Sequence, residues 1–550
     1  MDKAAALERL RALDRERMYL SQAAAILQWD QETYLPPEGV EDRAEQLALL
    51  EGLAHEKLTD PQVGRLLDEL DPAAAEDPAG SAAGLKAADG TFPAADGFPA
   101  GDFLRVLRRD YDRAVKLPAD FVRDRARAEG LSQAAWVKAR RDNDFAAFAP
   151  HLEKMVALEE KKARYWGWGA GAAGFVYDGL LDFHEPGFSA ASASALFGPL
   201  GERLSLLLRE IAGKTGPSQS PGTGPSASPG GPGADKTGSS SLAGPGAFLR
   251  RAYGASRQEA FCRRVLGGLG FDFNRGRLDT SAHPFTTTLG FNDARITTRY
   301  AAGDPLSALF SVIHEGGHAF YELGADPVLR SSCLAGGVSM GIHESQSRLW
   351  ENVIGRGRAF WRPWFPRFKK SFPRQLEGVD FGTFYRAMNT VSPSLIRVDA
   401  DELSYSLHII LRFELEQRLF DGSLRVSALP AAWNAGMKKY LGVEPANDAE
   451  GVLQDVHWSM GAFGYFPSYA LGNLYGLQFW EKLNEDLPGV NAALEKEDYA
   501  PIHRWLREKI YRWGRRREPA RLLEEVTGQT LSAGPFLRYL EEKYGELYGF

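Results

Sequence analysis

Cysteine is almost missing from this chain. Only Cys262 and Cys333 occur in 550 residues. Two thiols cannot build a disulfide framework, so the usage suits a reducing compartment, with both read as buried, inert groups. Long apolar runs are also lacking: nowhere do about 18 consecutive apolar residues occur, which removes the signal for a membrane span. The N-terminal stretch MDKAAALERLRALDRERMYL is charged and helix-patterned rather than leader-like. A cytoplasmic protein is expected. Strong charge of one sign is absent as well. The formal net charge of −7 is small for this length and supports neither a nucleic-acid footprint nor a membrane-surface patch.

What is present is an ordinary globular composition, 44% hydrophobic and 25% charged, able to bury a large core. Most of it reads as helix. Lys3–Gln28, Ala119–Gly167 and Glu402–Phe420 combine strong helix formers with apolar residues at three-to-four spacing. Two stretches break the pattern. Asp71–Gly101 is rich in Ala, Gly, Asp and Pro, and Gly213–Gly246 is a low-complexity Gly/Pro/Ser run that cannot offset its ordering entropy. Both are expected to be flexible insertions, at 71–101 and 213–246, in one catalytic body spanning 1–550. GKTG at 213–216 lacks the upstream glycine of a phosphate-binding loop. The one clear β signal is Pro284–Tyr300, where Thr-rich runs flank Gly290–Asp293 as in a hairpin.

Asp304 followed by Pro305 marks a helix start. Leu306, Leu309, Ile313, Phe320 and Leu323 then form an apolar stripe, and Gly324 is a fitting stop. Inside lies His314-Glu315-Gly316-Gly317-His318. Imidazoles four residues apart on a helix lie on one face, about 6 Å apart along the axis, and can converge on one tetrahedral ion. Glu315 can then reach a water at that ion without being a ligand, and act as general base. Two mid-helix glycines cost about 1 kcal/mol each relative to alanine, so something must approach the helix closely there.

A catalytic zinc takes three protein ligands and keeps one position open. Val338–Asn352 reads as a helix after the loop glycines Gly336 and Gly337, with Glu344, Ser347, Arg348 and Glu351 on one face. Glu344 is the leading third ligand; His343 and Glu322 are its rivals. The unused residues have bland roles, His343 as a packing or supporting group and Glu322 as a solvated charge near the helix end.

Together these residues resemble the M32 metallocarboxypeptidases, the Taq-type carboxypeptidases. The likeness is carried by an ordered set: His283-Pro284-Phe285, Asp293-Ala-Arg295-Ile-Thr297, the HEGGH run at 314–318, His343-Glu-Ser-Gln-Ser347, Ile396-Arg397-Val-Asp-Ala-Asp401 and Gly451-Val-Leu-Gln454-Asp455-Val-His457-Trp458. Trp29-Asp30-Gln31-Glu32 with Pro36-Pro37 adds to it, so the likeness covers nearly the whole chain. It implies a mainly α, single-body zincin-type peptidase with a deep groove and a small β-hairpin beside the metal helix, and a homodimer. It implies one zinc per chain on His314, His318 and Glu344, with Glu315 as base; cobalt or manganese could occupy the same ligands. The two insertions look longer than the family generally needs.

An exopeptidase must grip a terminal carboxylate, and a bidentate guanidinium does so best. Arg397 is the first candidate, in line with the family; its bland reading is an ion pair with Asp399 or Asp401. Arg295 comes next, unless it merely holds the hairpin. His283 either contacts substrate or locks the strand entry. The hairpin edge could pair with an extended peptide, predicting broad sequence tolerance. Oxyanion donors are sought in His457, Tyr465 and Tyr469, the His457…Tyr469 spacing resembling that of related oligopeptidases; Tyr465 could equally be wall packing. Asp399, Asp401 and Asp455 are candidate partners for the ligand imidazoles. The expected activity is release of C-terminal residues from peptides with a free C-terminus. An endo-acting, neurolysin-like oligopeptidase is the alternative within enzymes. A zinc-stabilised binding protein is the alternative outside them, although a structural site needs no general base and is usually closed by four ligands.

Overall fold

The structure, a computed structural model, describes residues 2–70, 97–169, 174–215 and 246–550. Most of both expected insertions, residues 71–96 and 216–245, lies outside the described residues. At the described margins the sequence expectation was too generous. A helix begins at Ala100 (Ala100–Val115), and Gly213 still belongs to the helix Ala190–Thr215. The chain is mainly helical, with one small three-stranded sheet. Among the described residues no helix is long and apolar enough to cross a membrane.

The chain gathers into two compact units, each assembled from three stretches: Met1–Val115, Lys236–Met388 and Phe479–Thr530 in the first, Lys116–Asp235, Asn389–Gln478 and Leu531–Phe550 in the second. In the first unit the long helix Lys3–Thr33 buries Leu7, Leu10 and Leu13 in a cluster with Leu66, Phe103, Leu107 and, from much later in the chain, Leu329, Cys333 and Leu334. That apolar contact is reinforced by a polar one. Asp14 is buried, pairs with Arg17 and accepts the Cys333 amide at 2.6 Å. The loop joining the two helices of the metal centre is thereby fixed to the N-terminal helix.

The sheet has the order β1-β3-β2. β2 (Thr286–Gly290) and β3 (Asp293–Thr298) form the expected antiparallel hairpin. β1 (Gly276–Thr280) pairs parallel with β3 and was not foreseen. Its run GRLDT has no repeated alternation, and its first residue is a glycine because a Cβ there would lie 2.3 Å from the Ala294 carbonyl oxygen. Ile296 is fully buried, and the Thr298 hydroxyl donates to the Ala308 carbonyl, joining β3 to the helix that follows.

In the second unit the helix-patterned stretch Ala119–Gly167 forms two helices, Ala119–Asp142 and Phe145–Tyr165. Asn143 takes a left-handed conformation (φ 53°) and the Asp144 carboxylate caps the Ala147 amide, the turn chemistry that separates them. The helix Tyr405–Phe420 is buried on nearly every side, polar His408, Arg412 and Glu416 included.

Candidate metal centre

The metal helix spans Pro305–Leu323. Asp304 accepts the Ser307 amide at 3.0 Å and Pro305 occupies the first turn, so the start follows the sequence signal; such a cap is worth about 1 kcal/mol. Gly324 ends the helix for a different reason than expected. Its φ is −89°, not left-handed, and what requires glycine is Tyr511, whose ring would lie 2.5 Å from a Cβ. Gly317 has an equally concrete role: a Cβ there would sit 2.7 Å from the Gln346 carbonyl and from the Ser347 Cα. Glycine lets a second helix, Met340–Arg348, lie backbone-close against the first. Ser339 caps this second helix through the Ile342 amide, and it continues as a π-helical segment, Leu349–Gly355.

The close approach brings three donors together. Glu344 Oε2 lies 3.6 Å from His314 Nε2 and 3.5 Å from His318 Nε2. A tetrahedral ion with bonds of about 2.0–2.1 Å to nitrogen and oxygen separates its ligand atoms by about 3.3–3.4 Å, so this set of two imidazoles and one carboxylate fits a divalent cation as it stands. Burial pushes the Glu344 carboxyl up, but Arg348, bonding Oε1 at 2.7 Å, and the two imidazoles outweigh it and hold the group ionised. Burial pulls His318 down to about 4, which keeps it neutral at physiological pH. Burial also pulls on His314, but Glu344, Glu351 and Glu315 outweigh it and raise its pKa, so this imidazole sheds its proton when a cation takes the site; ionised carboxylate and neutral imidazole are the forms a metal requires.

The outer nitrogens of the two imidazoles have different partners. His314 Nδ1 bonds Glu351 at 2.9 Å, and Glu351 is itself engaged by Arg348 and Arg356. His318 Nδ1 faces His343 Nδ1 at 2.6 Å, and His343 Nε2 bonds Glu322 at 2.8 Å. With Nε2 of His318 directed at the donor triangle, its Nδ1–H donates to His343, which in turn donates Nε2–H to Glu322. Glu322 also accepts the Gly337 amide and a bond from Thr288. It is therefore no solvated helix-end charge. Nor are Asp399, Asp401 and Asp455 the partners of these imidazoles: those partners are Glu351 and His343. Sequence spacing had placed Glu351 on the Glu344 face without giving it this role.

Glu315 is buried, and its Oε2 accepts from the Thr286 hydroxyl at 2.6 Å. The same hydroxyl lies 3.0 Å from the Glu315 carbonyl. Burial raises its pKa, against the lowering pull of His314 and Thr286. Thr286 and Thr288 alternate on β2, so one face of that strand serves both Glu315 and Glu322. The β-branched run that signalled a strand thus carries part of the site. Arg295, on β3, pairs with Asp293 at 3.0 Å and lies 4.4 Å over the Trp29 ring. His283 is exposed, and its carbonyl accepts the Ser281 hydroxyl.

The remaining candidates lie in the second unit. Arg397 is buried and bonds Asp455 at 2.9 Å and the Tyr405 hydroxyl at 2.9 Å, so its carboxylate partner is neither Asp399 nor Asp401. Asp455 also bonds the fully buried Arg412 Nε at 2.7 Å. One carboxylate between two guanidiniums is held far below its ordinary pKa, the arginines outweighing burial. Asp401 is occupied with the Ser392, Leu403 and Ser404 amides. His457 Nε2 lies 3.2 Å from the Tyr469 hydroxyl, and burial lowers its pKa to about 3, leaving a neutral ring. Tyr465 stacks on His457 (ring centroids 5.8 Å, 25° between planes) and meets Tyr469 edge-on. Arg412 was missed because a lone arginine in an apolar helical run carries no spacing signal of its own.

A helical body with two imidazoles and a carboxylate set for one cation, and a buried acid on the same helix, defines a metallopeptidase. The sequence model of the carboxypeptidase Taq (M32) metallopeptidases matches residues 9–224 and 234–544, and the chain belongs to that family. It is 38% identical over 555 residues to thermostable carboxypeptidase 1 of Thermus thermophilus, covering 100% of both chains. It is 36% identical to carboxypeptidase 1 of Bacillus subtilis, covering 96% of each. The crystal structure of the M32 carboxypeptidase from Deinococcus radiodurans R1 superposes with a TM-score of 0.87 at 40% identity, over 99% of this chain and 100% of that one. The protein is a metallocarboxypeptidase, a peptide hydrolase; the endo-acting alternative is not favoured.

Proposed function

We propose that the enzyme is zinc-dependent and removes residues one at a time from the free C-termini of peptides, with broad sequence tolerance. The observation that carries this reading is the donor triangle of His314, His318 and Glu344 with the buried Glu315 one residue from its first ligand. His314, His318 and Glu344 would hold the ion; cobalt or manganese could substitute. When bound, the cation supplies Lewis-acid polarisation and acidifies water at the site.

The chain's own groups do the rest. Glu315, its carboxylate fixed by Thr286, takes the proton from the attacking water and returns it to the leaving amine. His457 and Tyr469, with Tyr465 as the further candidate, donate to the oxyanion that develops on the scissile carbonyl. Arg397 receives the terminal carboxylate: Asp455 is shared with Arg412, and two guanidiniums against one carboxylate leave surplus positive charge for an anionic group. Arg295 and His283 are further substrate-facing candidates, and β2 offers an edge to an extended backbone. The buried thiols suit a cytoplasmic enzyme, and the family likeness suits a homodimer.

Mass spectrometry of a digested peptide tests this. The expected result is a ladder of C-terminal truncations from the native enzyme, almost none from Glu315→Gln, and loss of the ladder when the substrate is C-terminally amidated. Internal fragments, or equal cleavage of the amidated peptide, would refute the exopeptidase reading.

A further inference from the structure

A cavity of about 480 Å³ lies on the side of the metal helix away from its ligands. Its volume is in the range of small-molecule pockets. Phe320, Tyr511 and Phe291 provide aromatic wall, the first two buried. The charge around it is not balanced internally. Arg275 is held by the Asn292 side chain (2.9 Å) and the carbonyls of Leu323 (3.0 Å) and Phe291 (3.3 Å), all neutral acceptors, and forms no ion pair among the described residues. Arg330 and Arg507 are exposed in the lining and make no ion pair or side-chain hydrogen bond among the described residues. The lining contains one carboxylate, Asp272, and only its Oδ1 is used, by the Asn274 amide and side chain.

Three guanidiniums, one half-used carboxylate and an aromatic wall select for a particular kind of molecule. A phosphate or a dicarboxylate would use the arginines and leave Asp272 a liability, since a like charge facing a carboxylate is repulsive. A zwitterion with an apolar side chain uses all three features. Its carboxylate meets a guanidinium, its ammonium meets Asp272 Oδ2, and its side chain covers the rings. We propose that this cavity is a binding site for a free α-amino acid with an apolar or aromatic side chain, separate from the catalytic centre. The activity of the family releases such molecules. The cavity touches the metal helix through Phe320, whose ring lies 5.1 Å from Trp350 on the segment that carries Glu351.

Calorimetric titration of L-phenylalanine and L-leucine into the full-length enzyme tests the site, with Arg330→Glu/Arg507→Glu and Asp272→Asn as variants. All three positions are exposed, so thermal melting should match the native protein. A saturable binding event weakened at least tenfold by the double variant, and also by Asp272→Asn, is expected. Phenylalaninamide, lacking the carboxylate, and 3-phenylpropanoate, lacking the ammonium, should each bind at least tenfold more weakly than phenylalanine. Equal affinity in the native and both variant enzymes would overturn the proposal. So would an absence of saturable binding, or tighter binding of inorganic phosphate than of either amino acid. Should the double variant fail to fold, Asp272→Asn with the two truncated ligands decides the matter alone.

Discussion

Two buried polar clusters in this chain are built from the same side chains in opposite proportion. Around the metal helix four carboxylates, Glu315, Glu322, Glu344 and Glu351, stand against two guanidiniums, Arg348 pairing with Glu344 and Glu351 and Arg356 with Glu351. Around Asp455, a single carboxylate serves Arg397 and Arg412. The first arrangement leaves surplus negative charge where imidazole nitrogens converge and so favours a cation; the second leaves surplus positive charge and favours an anion. Neither cluster is explained by stability. Burying ions costs several kcal/mol each, and well-packed apolar side chains commonly stabilise as much or more.

The sharpest way to break this comparison is Asp455→Asn. Removing the shared carboxylate leaves two buried guanidiniums facing a neutral amide, and breaking such a cluster costs about 3–5 kcal/mol. Chemical denaturation should show that loss while metal affinity in the folded protein stays native.

A subtler test lies within the metal centre. Glu351→Gln and His343→Ala each remove one support of a ligand imidazole, and changes of this kind weaken metal affinity about 10–100-fold. Competition against a chelator should find both weakened. Native affinity in both would mean that the outer hydrogen bonds contribute nothing to the site.

The paired glycines offer a comparison at smaller scale. Gly317→Ala forces a Cβ against backbone of the neighbouring helix, an overpacking expected to cost about 1–3 kcal/mol. Gly316→Ala meets only the tip of Leu266 at 2.9 Å, which can turn aside, so it should cost clearly less. Thermal melting of the two variants reads the difference.

Another buried carboxyl of the second unit adds a pH dependence. Glu416 accepts from Tyr177, Trp458 and the Gly464 amide, yet burial raises its pKa to about 7. A carboxyl whose folded pKa lies above its unfolded value of about 4.5 contributes stability that is fully present below pH 4.5. That contribution is lost as pH rises towards 7 and changes little beyond. Melting temperatures of Glu416→Gln should lack this slope between pH 4.5 and 7.

Much of the site was legible because metal chemistry leaves local marks. His314, Glu315 and His318 are fixed by helical period, Asp304 and Pro305 by capping, and Glu344 was separated from His343 and Glu322 by family likeness rather than spacing. What stayed hidden depends on distant contacts. The His318–His343–Glu322 chain needs the backbone approach that Gly317 permits, and β1 needs β3 as a partner before its residues make a strand. Asp14 holding the Cys333 amide joins positions more than 300 residues apart, which no local pattern announces.

The central claim is that His314, His318 and Glu344 form one cation site. Titrating Zn2+ into the native chain and into His318→Ala and Glu344→Ala, with bound metal counted by mass spectrometry, tests it directly. The account predicts one equivalent bound by the native protein and by Glu315→Gln, with affinity at least a hundredfold weaker in the two ligand variants. No stoichiometric metal in the native protein, or undiminished binding in both ligand variants, would contradict it.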